Sequence, residues 1–86
     1  MTDLEACTAL RPDFAVATAP HESPGYELIG ATWTTNGEPR AQYVVVPADA
    51  SAEERERQTA TLLDYCRRWI EAGDVLTLDI NQNESL

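Results

Sequence analysis

The chain has 86 residues, enough for one small domain, and it carries fifteen carboxylates against six arginines and no lysine, a formal net charge of −9. Arginines interleaved with carboxylates form no basic stripe, so direct binding to DNA or RNA phosphates is not expected. The longest run of large apolar residues, 43–46, is far too short to span a membrane. The acidic start is also unlike the basic start of a signal peptide, so we expect a single cytoplasmic domain over residues 1–86.

The first third of the chain gives weak periodicity. Residues 1–12 have no clean apolar period and are predicted to form a loose N-terminal arm or a short helical turn. Residues 13–19 alternate larger side chains with alanines and are predicted to form a strand. Residues 20–25 contain two prolines and a glycine, which is typical of a loop.

Residues 26–35 and 40–47 are predicted to form a β-hairpin around Asn36-Gly37. Asn-Gly is the strongest short hairpin signal because both central positions of a type I′ turn need positive φ. This turn would place Ile29 opposite Val44. Apolar residues occur on both faces of the hairpin, so one face is expected to cover the core while the other is partly exposed.

Residues 51–72 are predicted to form a helix that ends at Gly73. Ser51 is the expected N-cap and, with Glu54, a predicted capping box. The apolar stripe of this helix lies in its C-terminal half, from Leu62 to Ile70. The N-terminal half is therefore expected to project into solvent or to meet a partner.

Residues 75–80 alternate like a half-buried strand, and residues 81–86 form a polar tail. The predicted fold class is α+β in two layers. A mostly antiparallel sheet of three to four strands, in the order β-β-β-α-β, carries one helix on one face. A long helix between the third and fourth strands predicts that these two run parallel.

The residues offer little for catalysis, and we expect a protein that is not an enzyme. The single histidine, His21, lies in a proline-bracketed loop, and Cys66 belongs to the apolar stripe of the helix. Pairing of Cys66 with Cys7 is left open. The chain has no metal-ligand spacing and no glycine-rich phosphate loop, so neither a metal nor a cofactor is predicted.

The acidity itself predicts an interaction protein that docks on a basic protein surface, provided that the fold gathers the carboxylates on one face. The alternative is a small structural or accessory subunit whose acidity serves only solubility. It would bind through an open sheet edge or apolar hairpin residues. The candidate partner-binding residues are acidic side chains around the helix and last strand, with Trp33 as an aromatic anchor: Asp49, Glu53, Glu56, Asp64, Asp74 and Asp79.

An acidic helix after Val46-Pro47, ending in Ala72-Gly73-Asp74 and followed by a short strand, resembles the small acidic anti-CRISPR proteins of phages. The resemblance covers mainly residues 46–80. It implies a DNA-mimicking inhibitor that binds a Cas subunit or the crRNA-guided complex and blocks access of target DNA. No residue role follows from it beyond acidic exposure.

Overall fold

The computed structural model describes residues 2–74. They form five elements: helix α1 (Asp3–Leu10), strands β1 (Ala15–Pro20), β2 (Tyr26–Thr35) and β3 (Glu38–Pro47), and helix α2 (Ala52–Glu71). The strands form an antiparallel sheet in the order β1-β2-β3. Helix α2 packs on one face of this sheet, and α1 packs on α2, which confirms the α+β prediction. The predicted strand 75–80 and tail 81–86 lie outside the described residues.

The β2–β3 hairpin has the register that its turn sequence predicts. Ile29 lies opposite Val44 and Gly30 opposite Tyr43. Asn36 and Gly37 both have positive φ, at 53° and 81°, as a type I′ turn requires. Strand β3 begins at Glu38, two residues before the predicted start, because pairing continues to the turn itself.

The core lies between α2 and one face of the sheet, here called the inner face. Trp33 of β2 stands at its centre, with ring centroids 5.6 Å from Phe14 and 4.9 Å from Trp69 of α2. The Trp33–Trp69 contact is edge-on, a favoured geometry for aromatic pairs. The other buried side chains of this core are Cys7, Ile29, Ala31, Val46, Leu62, Cys66 and Ile70.

Helix α1 lies where a loose arm or a short helical turn is predicted for residues 1–12. The Thr2 hydroxyl accepts a hydrogen bond from the Glu5 backbone N–H at 3.1 Å, and the Glu5 carboxylate accepts one from the Thr2 backbone N–H at 2.8 Å. This capping box starts the helix at Asp3. Only Cys7 of α1 is buried, so the helix leaves almost no apolar period in the sequence.

Helix α2 starts and ends as predicted, with one difference at its cap. The Ser51 hydroxyl accepts from the Glu54 backbone N–H at 3.1 Å, and Gly73 terminates the helix with a φ of 76°. The Glu54 carboxylate does not complete the predicted capping box. It instead contacts Gln58 and Arg57, one turn further along the helix.

The two outer strands of the described sheet carry prolines and the central strand does not. Pro20 ends β1, whereas Pro39 and Pro47 lie near the two ends of β3. Proline lacks the N–H that a strand ladder needs, so it is tolerated at the edge of a sheet and blunts that edge. Within the described sheet, Pro39 therefore lies on an edge strand.

Candidate interaction surfaces

His21 and Cys66, the residue types that nucleophilic catalysis would need, are not brought together by any described contact. His21 lies in the β1–β2 loop, where its Nδ1 accepts a hydrogen bond from the Ser23 backbone N–H at 2.9 Å and its ring meets Tyr26 edge-on. Cys66 is fully buried in α2. Burial raises the pKa of the Cys66 thiol to about 12, so the thiolate needed for attack is disfavoured.

Cys7 and Cys66 are free thiols that lie on α1 and α2, where the helices pack. The Cys7 thiol lies 3.9 Å from the Leu63 carbonyl oxygen of α2. Burial, with a smaller contribution from Asp3, raises the pKa of Cys7 as well. The two cysteines therefore act as small apolar side chains that hold the helices together.

Within residues 2–74, no group of three or more histidine, cysteine or acidic side chains is arranged to hold a metal ion. In the same part of the chain, no helix has both the length and the apolar character needed to cross a membrane. The depressions on the described surface are shallow. One of about 290 Å³ is lined by Thr32, Thr34 and Pro39, among other residues, and contains no histidine or cysteine.

Two of the residues predicted to contact a partner lie inside the protein and contact each other. Trp33 is 2% exposed, and its indole Nε1 donates to Asp74 Oδ1 at 3.4 Å. The Asp74 side chain is 1% exposed, and its other oxygen lies 3.3 Å from Arg11 and accepts from the Thr35 hydroxyl. This cluster ties the end of α2 to β2 and to the α1–β1 connection. A partner could reach Trp33 or Asp74 only after this cluster opened.

Three of the predicted acidic residues are exposed near the start of α2. Asp49, Glu53 and Glu56 form no ion pair with any described arginine, and Glu53 and Glu56 are neighbours on one side of the helix. Asp64 is different, because it lies 2.8 Å from Arg67 and 3.1 Å from Arg68. The position of Asp79 lies outside the described residues.

All six arginines of the chain contact carboxylates of the same chain. Arg55 lies 2.7 Å from Glu27 and also donates to the Ala48 carbonyl oxygen, which anchors the start of α2 to the sheet. Arg67 lies between Asp3, Asp64 and Glu71 at 2.7–2.9 Å and so joins α1 to α2. The remaining arginine pairs are Arg11–Asp74, Arg40–Glu38, Arg57–Glu54 and Arg68–Asp64. The arginines therefore form ion pairs within the chain. Among the described residues, the exposed charged side chains without an ion pair are carboxylates.

The sheet face opposite α2, here called the outer face, contains no charged residue within residues 2–74. It consists of every second residue of β1 from Ala15 to Ala19, of β2 from Tyr26 to Thr34 and of β3 from Pro39 to Pro47. Neither described helix packs on it. Tyr43 is 62% exposed, and Tyr26 and Val45 are nearly half exposed. The inner face of the same three strands carries Glu27 and Glu38, so in the described sheet the carboxylates lie on the other side.

On the outer face β1 carries only alanines, whereas β3 carries Tyr43 and Val45 as well as Ala41. One cross-strand row is Ala17–Gly30–Tyr43, and the next is Ala19–Leu28–Val45. The hairpin sequence already showed apolar residues on both faces. It could not show which face α2 would leave uncovered, or that β1 would add a strip of alanines beside it.

Comparison of this chain with protein families, with curated proteins and with solved structures finds no match.

Proposed function

We propose that this chain is a non-catalytic protein-interaction domain, a small accessory or structural subunit that binds through its outer face. The observation that supports this proposal most strongly is the uncharged surface on which Tyr26, Tyr43 and Val45 are exposed. An antiparallel sheet with one covered face normally has polar side chains on its solvated face. Exposed tyrosines without neighbouring charges are instead typical of the centre of a protein interface.

The size of the outer face also favours a binding role. Strands spaced about 4.8 Å apart, rising about 3.3 Å per residue, give this face a projected area of roughly 400 Å². Apolar patches of about 300–600 Å² are the largest on a typical monomer and are often functional. Binding through the face is also more plausible physically than strand addition, since both edge strands of the described sheet carry prolines.

The experiment compares capture of partners by three forms of the tagged protein: wild type, Tyr43→Asp and the control Glu22→Gln. Tyr43→Asp places a charge on the outer face at its most exposed aromatic side chain, whereas Glu22 lies in the β1–β2 loop. A partner, whether a second copy or another protein, should be bound by wild type and control and lost with Tyr43→Asp. Equal binding by all three forms, with the fold intact by circular dichroism, would contradict a role for this face.

A second candidate function rests on a different surface. Asp49, Glu53 and Glu56 are exposed and unpaired around the start of α2, and they could dock on a lysine- or arginine-rich groove of a cytoplasmic nucleic-acid-binding protein. In that case the protein would be an acidic inhibitor that mimics DNA. The resemblance to small anti-CRISPR proteins would make the partner a Cas subunit or a crRNA-guided complex. Complementary charge mainly raises association rates and specificity.

Salt and charge reversal test this second candidate. Glu53→Lys combined with Glu56→Lys should weaken binding to a basic partner with little change in thermal stability. Binding should also fall steeply with added salt, because exposed charges are screened. The control reverses Glu22, an exposed carboxylate of the β1–β2 loop that pairs with no described arginine. Affinity that is unchanged by the α2 reversal would remove this helix from the interface.

A further inference from the structure

We propose that the partner bound by the outer face is a second copy of this chain, packed face to face in a symmetric dimer. This inference rests on the proposed function, because it takes the outer face to be a protein-binding surface and adds the identity of the partner. Three properties of the face support it: the order of its side-chain sizes, its central glycine and its charge.

The difference in side-chain size between β1 and β3 makes two rows of the outer face complementary to themselves. Strand β1 contributes only alanines, and β3 contributes the larger side chains Tyr43 and Val45, whereas in the third row both β1 and β3 carry an alanine. A two-fold axis parallel to β2 would place β3 of each copy over β1 of the other. Tyr43 would then lie over the partner copy's Ala17, and Val45 over its Ala19. Such closed two-fold contacts, in which one patch meets itself, are the commonest in soluble oligomers.

Gly30 lies in the middle of this face, and nothing in residues 2–74 requires a glycine there. Its φ is not in the left-handed region, and an added Cβ would meet its nearest neighbours, the Gln42 carbonyl oxygen and Tyr43 Cβ, at an ordinary 3.8 Å. Glycine weakens the interior of a strand, and it often marks a place where another backbone approaches closely. With the axis along β2, the two Gly30 residues would face each other, so side chains introduced at both positions would meet at the centre of the interface.

The charge distribution removes the main obstacle to self-association. Two copies of a chain with a net charge of −9 repel each other. An uncharged contact surface on the side away from α2 keeps the exposed carboxylates of α2 far from the partner copy. Added salt screens the remaining repulsion, so the dimer should become tighter as salt rises. A complex with a basic partner would show the opposite dependence.

The area of the face indicates a reversible dimer. Two faces packed as aligned sheets about 10 Å apart would bury on the order of 1,000 Å² in total, near the lower limit for a specific interface. We therefore expect monomer and dimer to exchange with concentration.

The first test measures the oligomeric state of the full chain by sedimentation equilibrium over a wide dilution series, at low and at high salt. Gly30→Val should keep the strand, because valine favours strands and the site has room for a side chain, yet it should weaken the dimer by on the order of tenfold to a hundredfold. Ala60→Val, an equal addition to an exposed site on α2, should leave the dimer unchanged. A wild type that stays monomeric at every concentration, or a Gly30→Val form that dimerises as well as wild type, would overturn the inference.

The second test examines the predicted contact between Ala17 and Tyr43 of different copies. Ala17→Arg and Tyr43→Asp should each abolish self-association, because each places charges in an apolar interface. An equal mixture of the two variants should restore a heterodimer, since the new arginine would face the new aspartate while the other Ala17–Tyr43 contact remains native. A mixture that stays monomeric would contradict the two-fold arrangement.

Two outcomes would assign the face to another occupant and overturn this inference. If the chain is monomeric but captures a different protein that is lost with Tyr43→Asp, the proposed function holds and the second copy does not. If the monomer instead shows nuclear Overhauser contacts between Tyr43 and residues 75–86, the chain covers its own face. Both the inference and the proposed function would then fail.

Discussion

The inner and outer faces of the sheet are made from alternate residues of the same three strands, yet they differ in every property that packing controls. On the inner face, Trp33 is 2% exposed and contacts both Phe14 and Trp69. On the outer face, Tyr43 is 62% exposed, although it is also aromatic and also paired across the sheet.

The two faces differ in what covers them within the described residues. The buried apolar side chains of the inner face pack with α2 in one core. The uncharged outer face has no such explanation in the described residues, because nothing there packs on it. An apolar side chain that contributes little to the monomer is a reason to expect a partner.

Truncating one aromatic side chain on each face tests whether the two faces contribute differently to stability. Trp33→Ala should lower the free energy of unfolding by about 3–5 kcal/mol, as expected for a large aromatic removed from a packed core. Tyr43→Ala should lower it by about 1 kcal/mol or less in the monomer, because an exposed side chain away from the core contributes little. Urea unfolding at low protein concentration measures both. Similar losses for the two variants would show that the outer face is also part of the folding core.

Asp74 is the buried carboxylate that contacts Trp33 at one end of the inner face. Asp74→Asn removes the charge that Arg11 pairs with and weakens the hydrogen bonds from Thr35 and Trp33. The expected loss of stability is about 2–4 kcal/mol, somewhat below the usual cost of breaking a buried ion pair because Arg11 is partly exposed. Glu22→Gln, which neutralises an exposed carboxylate, is the control. If both variants unfold at the same urea concentration, the Asp74 cluster does not stabilise the fold.

A smaller effect is expected at the start of α2, the helix that makes one face inner and the other outer. Ser51→Ala removes the hydroxyl that accepts from the Glu54 backbone N–H, and it should cost about 0.5–2 kcal/mol. Ser23→Ala, in the exposed β1–β2 loop, should change the melting temperature little. An unchanged melting temperature for Ser51→Ala would argue against this helix start.

The buried thiols predict the pH dependence of the inner core. Burial raises the pKa of Cys66 from 9.0 to about 12, so the folded protein holds the thiol proton where the unfolded chain releases it. The unfolded state therefore binds fewer protons at high pH, and the stability that the neutral thiol contributes should fall as the pH rises from 9.0 towards 12.

Urea unfolding over this range measures the alkaline loss, and Cys66→Ala should make it less steep. At neutral pH, a thiol reagent should modify Cys66 only as fast as the protein opens. Rapid modification of the native protein would contradict the burial of this residue.

The sequence is sufficient to predict elements whose signals are local. Asn36-Gly37 determines the hairpin register because few residues tolerate its backbone angles, and Ser51 and Gly73 mark the ends of α2 for similar reasons. Helix α1 was not predicted as a full helix, since it buries only Cys7. The signal that could have identified it is the capping pair Thr2 and Glu5.

The positions of Asp74 and Trp33 could not be predicted in the same way. Both residues are predicted to contact a partner, Asp74 as an acidic side chain near the last strand and Trp33 as an aromatic anchor. Their burial depends on how the end of α2 meets β2 and Arg11, which are distant in the chain. The exposure of the outer face also depends on distant parts of the chain, because the position of α2 determines which side of the hairpin it covers.

The prolines on the edge strands bear on the behaviour of the chain when it is not fully folded. Residues 42–46, Gln-Tyr-Val-Val-Val, combine high strand propensity with no charge, the composition from which amyloid segments are made. Pro47 follows this segment directly, and Pro39 precedes it by three residues. Each proline removes an N–H from the ladder that a growing fibril would extend, and so acts as a gatekeeper. An uncharged, tyrosine-bearing face is therefore compatible with solubility, because this aggregation-prone segment is bounded by a proline on both sides.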